Sequence, residues 1–254
     1  MKILISPAKS LETKSPENVT LHSVPVFLKE STQLIHKLQK LSVVKLEKMM
    51  HISTDIAKLN YDRFQLWEEP LTPLDSNMPA VFAFNGEVYK GLDVRSLTEN
   101  EQIRLHDSLF ILSGLYGILK PFDLFYPYRL EMGTRWEISA KQKNLYQFWG
   151  TKLASFLNQN MDSSEVLLNL ASAEYFKAID KKTLKAKVIT PIFKEFKNGT
   201  FKVVMMYAKH ARGAMARYCV VNNIQNPEEL KLYTVDGYQF DANQSTADEW
   251  VFIR

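Results

Sequence analysis

The sequence predicts an α/β fold, a mixed β-sheet with surrounding helices, and three observations carry that prediction. Short, nearly all-apolar runs bounded by small polar residues recur along the chain, as buried strands do. Between them lie segments whose apolar residues recur every three or four positions, as in helices that cover a sheet. Asn198-Gly199 stands between two strand-like runs, the strongest short signal for an antiparallel hairpin, so the sheet is mixed rather than purely parallel.

In chain order, Lys2–Ser6 reads as a buried strand ending in a turn at Pro7. Three helices are predicted between Pro25 and Trp67. Leu28, Leu34, Ile35, Leu38 and Leu41 mark the first, and Leu46, Met49 and Met50 a short second. Ser53 caps the third, with Ile56, Leu59 and Phe64 on its apolar face. Ala80–Phe84 reads as a strand stopped by Asn85-Gly86, and Ser108–Leu112 as another stopped by Ser113-Gly114. Asn144–Asn158 has the pattern of one amphipathic helix. Val166–Leu170 is a fourth strand, followed by a helix Glu174–Ile179 that Ser172 caps. Lys187–Phe196 and Thr200–Met206 form the hairpin. A helix Lys209–Val221 and a strand pair, Thr234–Phe240 with Glu249–Ile253, complete the reading.

No repeat, low-complexity tract or linker divides the chain, so residues 1–254 read as one folded unit. At 46% hydrophobic and 24% charged residues the composition is that of a globular protein, and this length allows a sizeable core. No stretch approaches the roughly 20 apolar residues of a membrane span, and the apolar run Ile3-Leu4-Ile5 is shorter than a signal peptide requires. A cytoplasmic protein is therefore expected. Cys219 is the single cysteine, set among Tyr218, Val220 and Val221, and reads as a small core residue. His22, His36, His51, His106 and His210 are scattered, with no pair at metal-ligand spacing, so no metal site and no cofactor are predicted. Neither a Gly-x-Ser-x-Gly elbow nor a phosphate-binding Walker loop is present, and no catalytic residue is assigned.

Four predicted strands end in small, polar or charged residues, and in open α/β sheets the carboxyl ends of strands form the crevice where ligands bind. Lys9, Asn85, Ser113 and Ser172 are therefore expected at one shared cleft. Arg129 and Glu131 alternate onto one side of an extended segment, as a ligand clamp or as a structural ion pair, and with Glu174 they complete the cleft set. A small anionic ligand is a candidate occupant.

The net charge of +4 is unevenly placed. Lys177 to Arg217 holds eleven basic residues against Asp180 and Glu195, a net +9 that leaves −5 for the rest of the chain. Such asymmetry fits either a polyanionic partner such as nucleic acid or a solvated lysine-rich surface. Lys209, Arg212 and Arg217 fall along one broad helix face, and Lys181, Lys182, Lys185 and Lys187 precede the hairpin. These seven are the candidate DNA-binding residues.

Beyond pattern, several segments resemble the bacterial peroxide-stress protein YaaA family. They are Ile5-Ser6-Pro7-Ala8-Lys9-Ser10-Leu11, Phe84-Asn85-Gly86-Glu87-Val88-Tyr89-Lys90-Gly91-Leu92, Leu112-Ser113-Gly114-Leu115-Tyr116-Gly117, Pro127-Tyr128-Arg129-Leu130-Glu131-Met132-Gly133 and Asn169-Leu170-Ala171-Ser172-Ala173-Glu174-Tyr175-Phe176-Lys177. Tyr207-Ala208-Lys209, Ala211-Arg212-Gly213 and Asp236-Gly237-Tyr238 continue the match to nearly the whole chain. The resemblance implies a family-specific fold and a cytosolic, non-catalytic protein of the hydroperoxide response that limits iron-associated damage. It also implies binding to duplex or branched DNA, as in DNA repair, through a basic cleft and a helix-hairpin-helix element. Leu46–Asn60, around Met50-His51-Ile52-Ser53, is the segment that fits the last, and it lacks the glycines such hairpins use to expose backbone N–H groups to phosphate. Two other classes stand beside this reading: an enzyme acting on a nucleobase or phosphorylated ligand in the strand-end cleft, and an iron-handling protein, which the missing ligand clusters disfavour.

Overall fold

The structure is a computed structural model that describes residues 1–12, 21–68 and 78–254. Its main sheet contains β1 (Lys2–Ile5), β2 (Leu109–Ser113), β3 (Gly117–Leu119), β4 (Val166–Leu170), β5 (Lys187–Lys197), β6 (Thr200–Lys202), β7 (Gln239–Asp241) and β8 (Glu249–Ile253). The order is β7-β8-β5-β4-β1-β2-β3, with β6 paired to β5. Strands β2, β1, β4, β5 and β8 run parallel, while β3, β6 and β7 are antiparallel to their neighbours. The mixed α/β sheet is as predicted.

The central strands are buried because both their faces are covered. Ile3, Leu4, Ile5, Leu109, Ile111, Leu112, Leu167, Leu168 and Leu170 have essentially no solvent exposure. From β1 the chain passes to β2 on one side, then crosses back to β4 on the other. That reversal makes the β1–β4 boundary a topological switch point, where the segments leaving the two strands diverge and open a crevice.

Three predicted helices form as Leu28–Leu38, Val43–Met50 and Thr54–Gln65. Ser42 and Ser53 cap the second and third through their hydroxyls, and His51, in a left-handed conformation at φ 52°, turns the chain between them. Four predictions need correction. Ala80–Phe84 joins no sheet as a five-residue strand: Ala80–Ala83 is a one-turn helix between the two-residue strands Met78–Pro79 and Phe84–Asn85, since a short buried apolar run fits either state. Asn144–Asn158 breaks into Leu145–Trp149 and Lys152–Gln159 at Gly150, whose φ of 50° no helix contains. The second hairpin strand stops at Lys202, and the next helix, Met205–Val221, begins one turn earlier than its sequence pattern indicated. In place of a strand Thr234–Phe240 there is a 3₁₀ turn, Val235–Gly237, and the short β7. Two helices that the sequence reading did not mark, Glu87–Leu92 and Glu99–Ser108, are also present.

The Met205–Val221 helix runs along the central strands, from their carboxyl ends to their amino ends. Met205 shares a cavity wall with Ser6 and Ser172, just past the carboxyl ends of β1 and β4. Cys219 and Val220 share another with Met1, Lys2 and Glu165, at the amino ends of the same strands. No described helix is long and apolar enough to cross a membrane.

Candidate functional site

The crevice at the switch point begins with two serines. Ser6 leaves β1 and Ser172 leaves β4; the Ser172 backbone N–H donates to Ser6 Oγ at 2.9 Å, and the two hydroxyl oxygens lie 3.3 Å apart. Tyr89, on the Glu87–Leu92 helix, donates its hydroxyl to the Ser6 carbonyl at 3.1 Å. Burial, then the nearby Tyr128 and Tyr175, push the Tyr89 pKa well above the ordinary value, so it stays a neutral donor. These bonds fix the floor of a cavity of 580 Å³, walled also by Lys9, Asn85, Glu131, Glu174, Met205, Lys209 and Arg212.

The carboxylates here are mostly spoken for. Glu131 holds Lys9 Nζ at 2.8 Å and Arg129 Nη2 at 3.0 Å. Glu174 accepts the Gly133 backbone N–H at 2.9 Å. Glu87 pairs with Lys90 at 2.7 Å, and that hydrogen bond, with weaker contributions from Lys90, His210 and Lys209, holds its pKa below the ordinary value. Asn85 donates its amide to Glu12 at 2.6 Å. Arg212 differs: among the described residues it has neither an ion-pair nor a hydrogen-bond partner, and burial pulls its pKa below the usual guanidinium value.

A second cavity, of 680 Å³, adjoins the first, with Lys9, Glu131 and Glu174 common to both walls. Arg129, Gly133, Thr134 and Arg135 line it on one side. Met49, Met50 and His51, from the turn between two of the N-terminal helices, line it on the other.

Of the cleft residues predicted from sequence, Lys9, Asn85, Glu131, Ser172 and Glu174 therefore share one wall, and Arg129 lies beside them in the second cavity. Ser113 does not line either. Its side chain is fully buried, 2.5 Å from the Tyr128 hydroxyl, and accepts the Tyr116 N–H, because β2 turns back at once into β3.

The seven basic residues are split. Lys209 and Arg212 line the inner cavity. Arg217, on the same helix, is used internally: its Nη1 donates to the Leu92 and Asp93 carbonyls at 3.3 and 2.9 Å, closing the end of the Glu87–Leu92 helix. Lys181, Lys182, Lys185 and Lys187 are all exposed, but Lys187 opens β5 opposite Val166, the first residue of β4. Asn158 bonds the Thr183 carbonyl and the Lys185 N–H there. Lys181 stands over the Phe176 ring at 5.8 Å, so the cluster runs from the turn after β4 to the amino end of β5, and none of the four lysines lines either cavity. Arg135, exposed beside the outer cavity, escaped the sequence reading, and nothing local in Gly133-Thr134-Arg135-Trp136 marks it. Among the described residues no group of three or more His, Cys, Asp or Glu is placed to hold a metal ion.

The model of the family described as peroxide stress protein YaaA matches residues 1–244. The chain belongs to that family. It is 48% identical, over all of its length and 98% of the relative's, to a UPF0246 protein of Aliivibrio fischeri. Over the same shares it is 46% identical to one of Janthinobacterium sp. and 45% identical to one of Burkholderia mallei. The family assignment makes this a stress-response protein of the oxidative-stress class, as the resemblance implied.

Proposed function

We propose that the chain works as one cytoplasmic unit that binds duplex or branched DNA during peroxide stress, limiting iron-linked damage, with the two adjoining cavities as a single groove. The supporting observation is that the turn between the Val43–Met50 and Thr54–Gln65 helices and the Arg129–Arg135 segment wall the same outer cavity. Along the groove stand Lys9, Arg129, Arg135, Lys209 and Arg212 against Glu87, Glu131 and Glu174. Cations in such an arrangement contact phosphate oxygens and release counterions, so binding is independent of sequence and sensitive to salt. The helix pair contributes its side-chain wall and His51, since its turn has no glycine to bare the backbone. Duplex titrations at several salt concentrations, on the wild type and on Arg129→Ala/Arg135→Ala, test the reading. Lower affinity and a slope reduced by up to about two in the folded variant are expected. Unchanged affinity and slope would refute the groove.

A second reading rests on the exposed Lys181, Lys182, Lys185 and Lys187, which have no ion-pair partner among the described residues. It places the DNA against that lysine cluster instead.

A further inference from the structure

We infer that the inner cavity is a binding site for a small ligand with an anionic end, of the size and kind of a nucleoside monophosphate, whose phosphate is held by Arg212 and Lys209. The cavity's 580 Å³ falls within the roughly 300–1,000 Å³ of small-molecule sites, and it lies at the switch point of the sheet, where α/β folds bind ligands.

Arg212 carries the argument. A cation withdrawn from water is costly unless it is paired, and folded proteins pair such groups. Among the described residues, every carboxylate that walls this cavity already holds another partner: Glu131 holds Lys9 and Arg129, Glu174 holds the Gly133 N–H, and Glu87 holds Lys90. Arg212 is left partly buried and facing the cavity with none, and the Lys209 ammonium stands one helical turn away on the same wall. An anion that no described residue supplies completes this arrangement, and a phosphate is the group a guanidinium fork fits best.

The remaining wall describes the rest of the ligand. Pro7, Ala8, Val88, Leu170 and Met205 present apolar surface for a flat body. Glu174, of which only Oε1 is taken by the Gly133 N–H, offers its second oxygen as an acceptor for an amino group such as those at a base edge. A bare phosphate satisfies only the first part of the site, whereas a nucleoside monophosphate satisfies all three. The same chemistry is offered by the terminal nucleotide of a single strand reaching inward from the groove, so the free nucleotide and the strand end need separating.

The test measures binding of inorganic phosphate, of the four ribonucleoside monophosphates and of a 5′-phosphorylated dinucleotide to the intact chain, by calorimetry and by thermal shift. At least one nucleotide is expected to bind with a Kd below about 1 mM, to raise Tm, and to bind tighter than phosphate. Arg212→Met should weaken that binding about tenfold or more and abolish the ligand-dependent rise, with Arg212→Lys between the two. Without ligand, Arg212→Met should have a Tm equal to or above wild type, because it removes a partly buried charge that no described residue pairs; a structural arginine would give the opposite. A lower ligand-free Tm for Arg212→Met, or no binding by the wild type to any of these probes, overturns the site. Phosphate binding as tight as any nucleotide overturns the nucleotide class, and preference for the dinucleotide assigns the cavity to a strand end. Because Arg129 and Arg135 do not line this cavity, loss of duplex binding in their variant with nucleotide binding intact, or the reverse, separates this inference from the groove reading.

Discussion

Gly213 lies so close to the carbonyl of Val88 that a Cβ placed on it would stand 1.8 Å from that oxygen. Gly91 on the opposing helix is equally confined, its virtual Cβ falling 2.2 Å from the His210 carbonyl oxygen. Two backbones thus meet where the Met205–Val221 helix crosses Glu87–Leu92, and the crossing sets where Lys209 and Arg212 stand over the cavity. Both glycines serve close approach rather than a special backbone angle.

Gly213→Ala should therefore cost more than the small gain in helix propensity it brings. The obstacle is backbone, which cannot rotate away, so overpacking by about 1–3 kcal/mol or more is expected, with loss of the cavity geometry. Urea unfolding measures it. A variant as stable as wild type would show that the helices separate without penalty.

Peroxide reactivity at Cys219 is predicted to be negligible in the folded protein. The thiol is buried in the Met205–Val221 helix, and burial pushes its pKa up to about 12. Only the thiolate reacts, and at neutral pH almost none exists. Mass spectrometry after peroxide or iodoacetamide treatment should show no modification until denaturant is added; rapid modification of the native chain would contradict this.

His106 gives a pH dependence of definite sign. Burial, and the nearby Lys120, hold its pKa below the ordinary 6.5, and its Nδ1 has no hydrogen-bond partner among the described residues. The unfolded chain therefore binds this proton more readily than the folded one. The group costs nothing above about pH 6.5 and removes stability as pH falls below that value, until the folded pKa is passed. Thermal melts of wild type and His106→Gln between about pH 7.5 and pH 5 should converge in Tm change only if His106 is not the source. The expected result is a smaller loss in the variant.

What the sequence revealed and what it hid follow from the range of the forces involved. Lys2–Ile5, Leu109–Ser113 and Val166–Leu170 were legible because strands buried on both faces must be apolar throughout, and the residues following β1 and β4 were legible as a cleft for the same reason. Ala80–Phe84 has the same apolar character, but its ends are held by the Asp123 and Pro121 carbonyls, which accept the Ala80 and Val81 N–H, and by Leu11 beside Phe84, which no local pattern discloses. Lys209 and Arg212 were visible as neighbours one turn apart. Arg217 looked equivalent until the fold presented it with the Leu92 and Asp93 carbonyls. The lysines at 181–187 are close in sequence to that helix, yet β5 carries the chain across the sheet between them.

Replacing Lys181, Lys182, Lys185 and Lys187 together with alanine should leave the fold intact, since exposed charges contribute roughly 0–1 kcal/mol each. Duplex affinity should change little, because none of the four lines either cavity of the groove. A large loss of affinity would move the DNA surface to this lysine cluster.

The most direct measurement is hydrogen–deuterium exchange of the intact protein with and without duplex DNA, which reports where the partner lies. Binding in the groove predicts slowed exchange at residues 49–53, 129–135 and 205–212, with 181–187 unchanged. Protection confined to residues 181–187, with none around the two cavities, would contradict it.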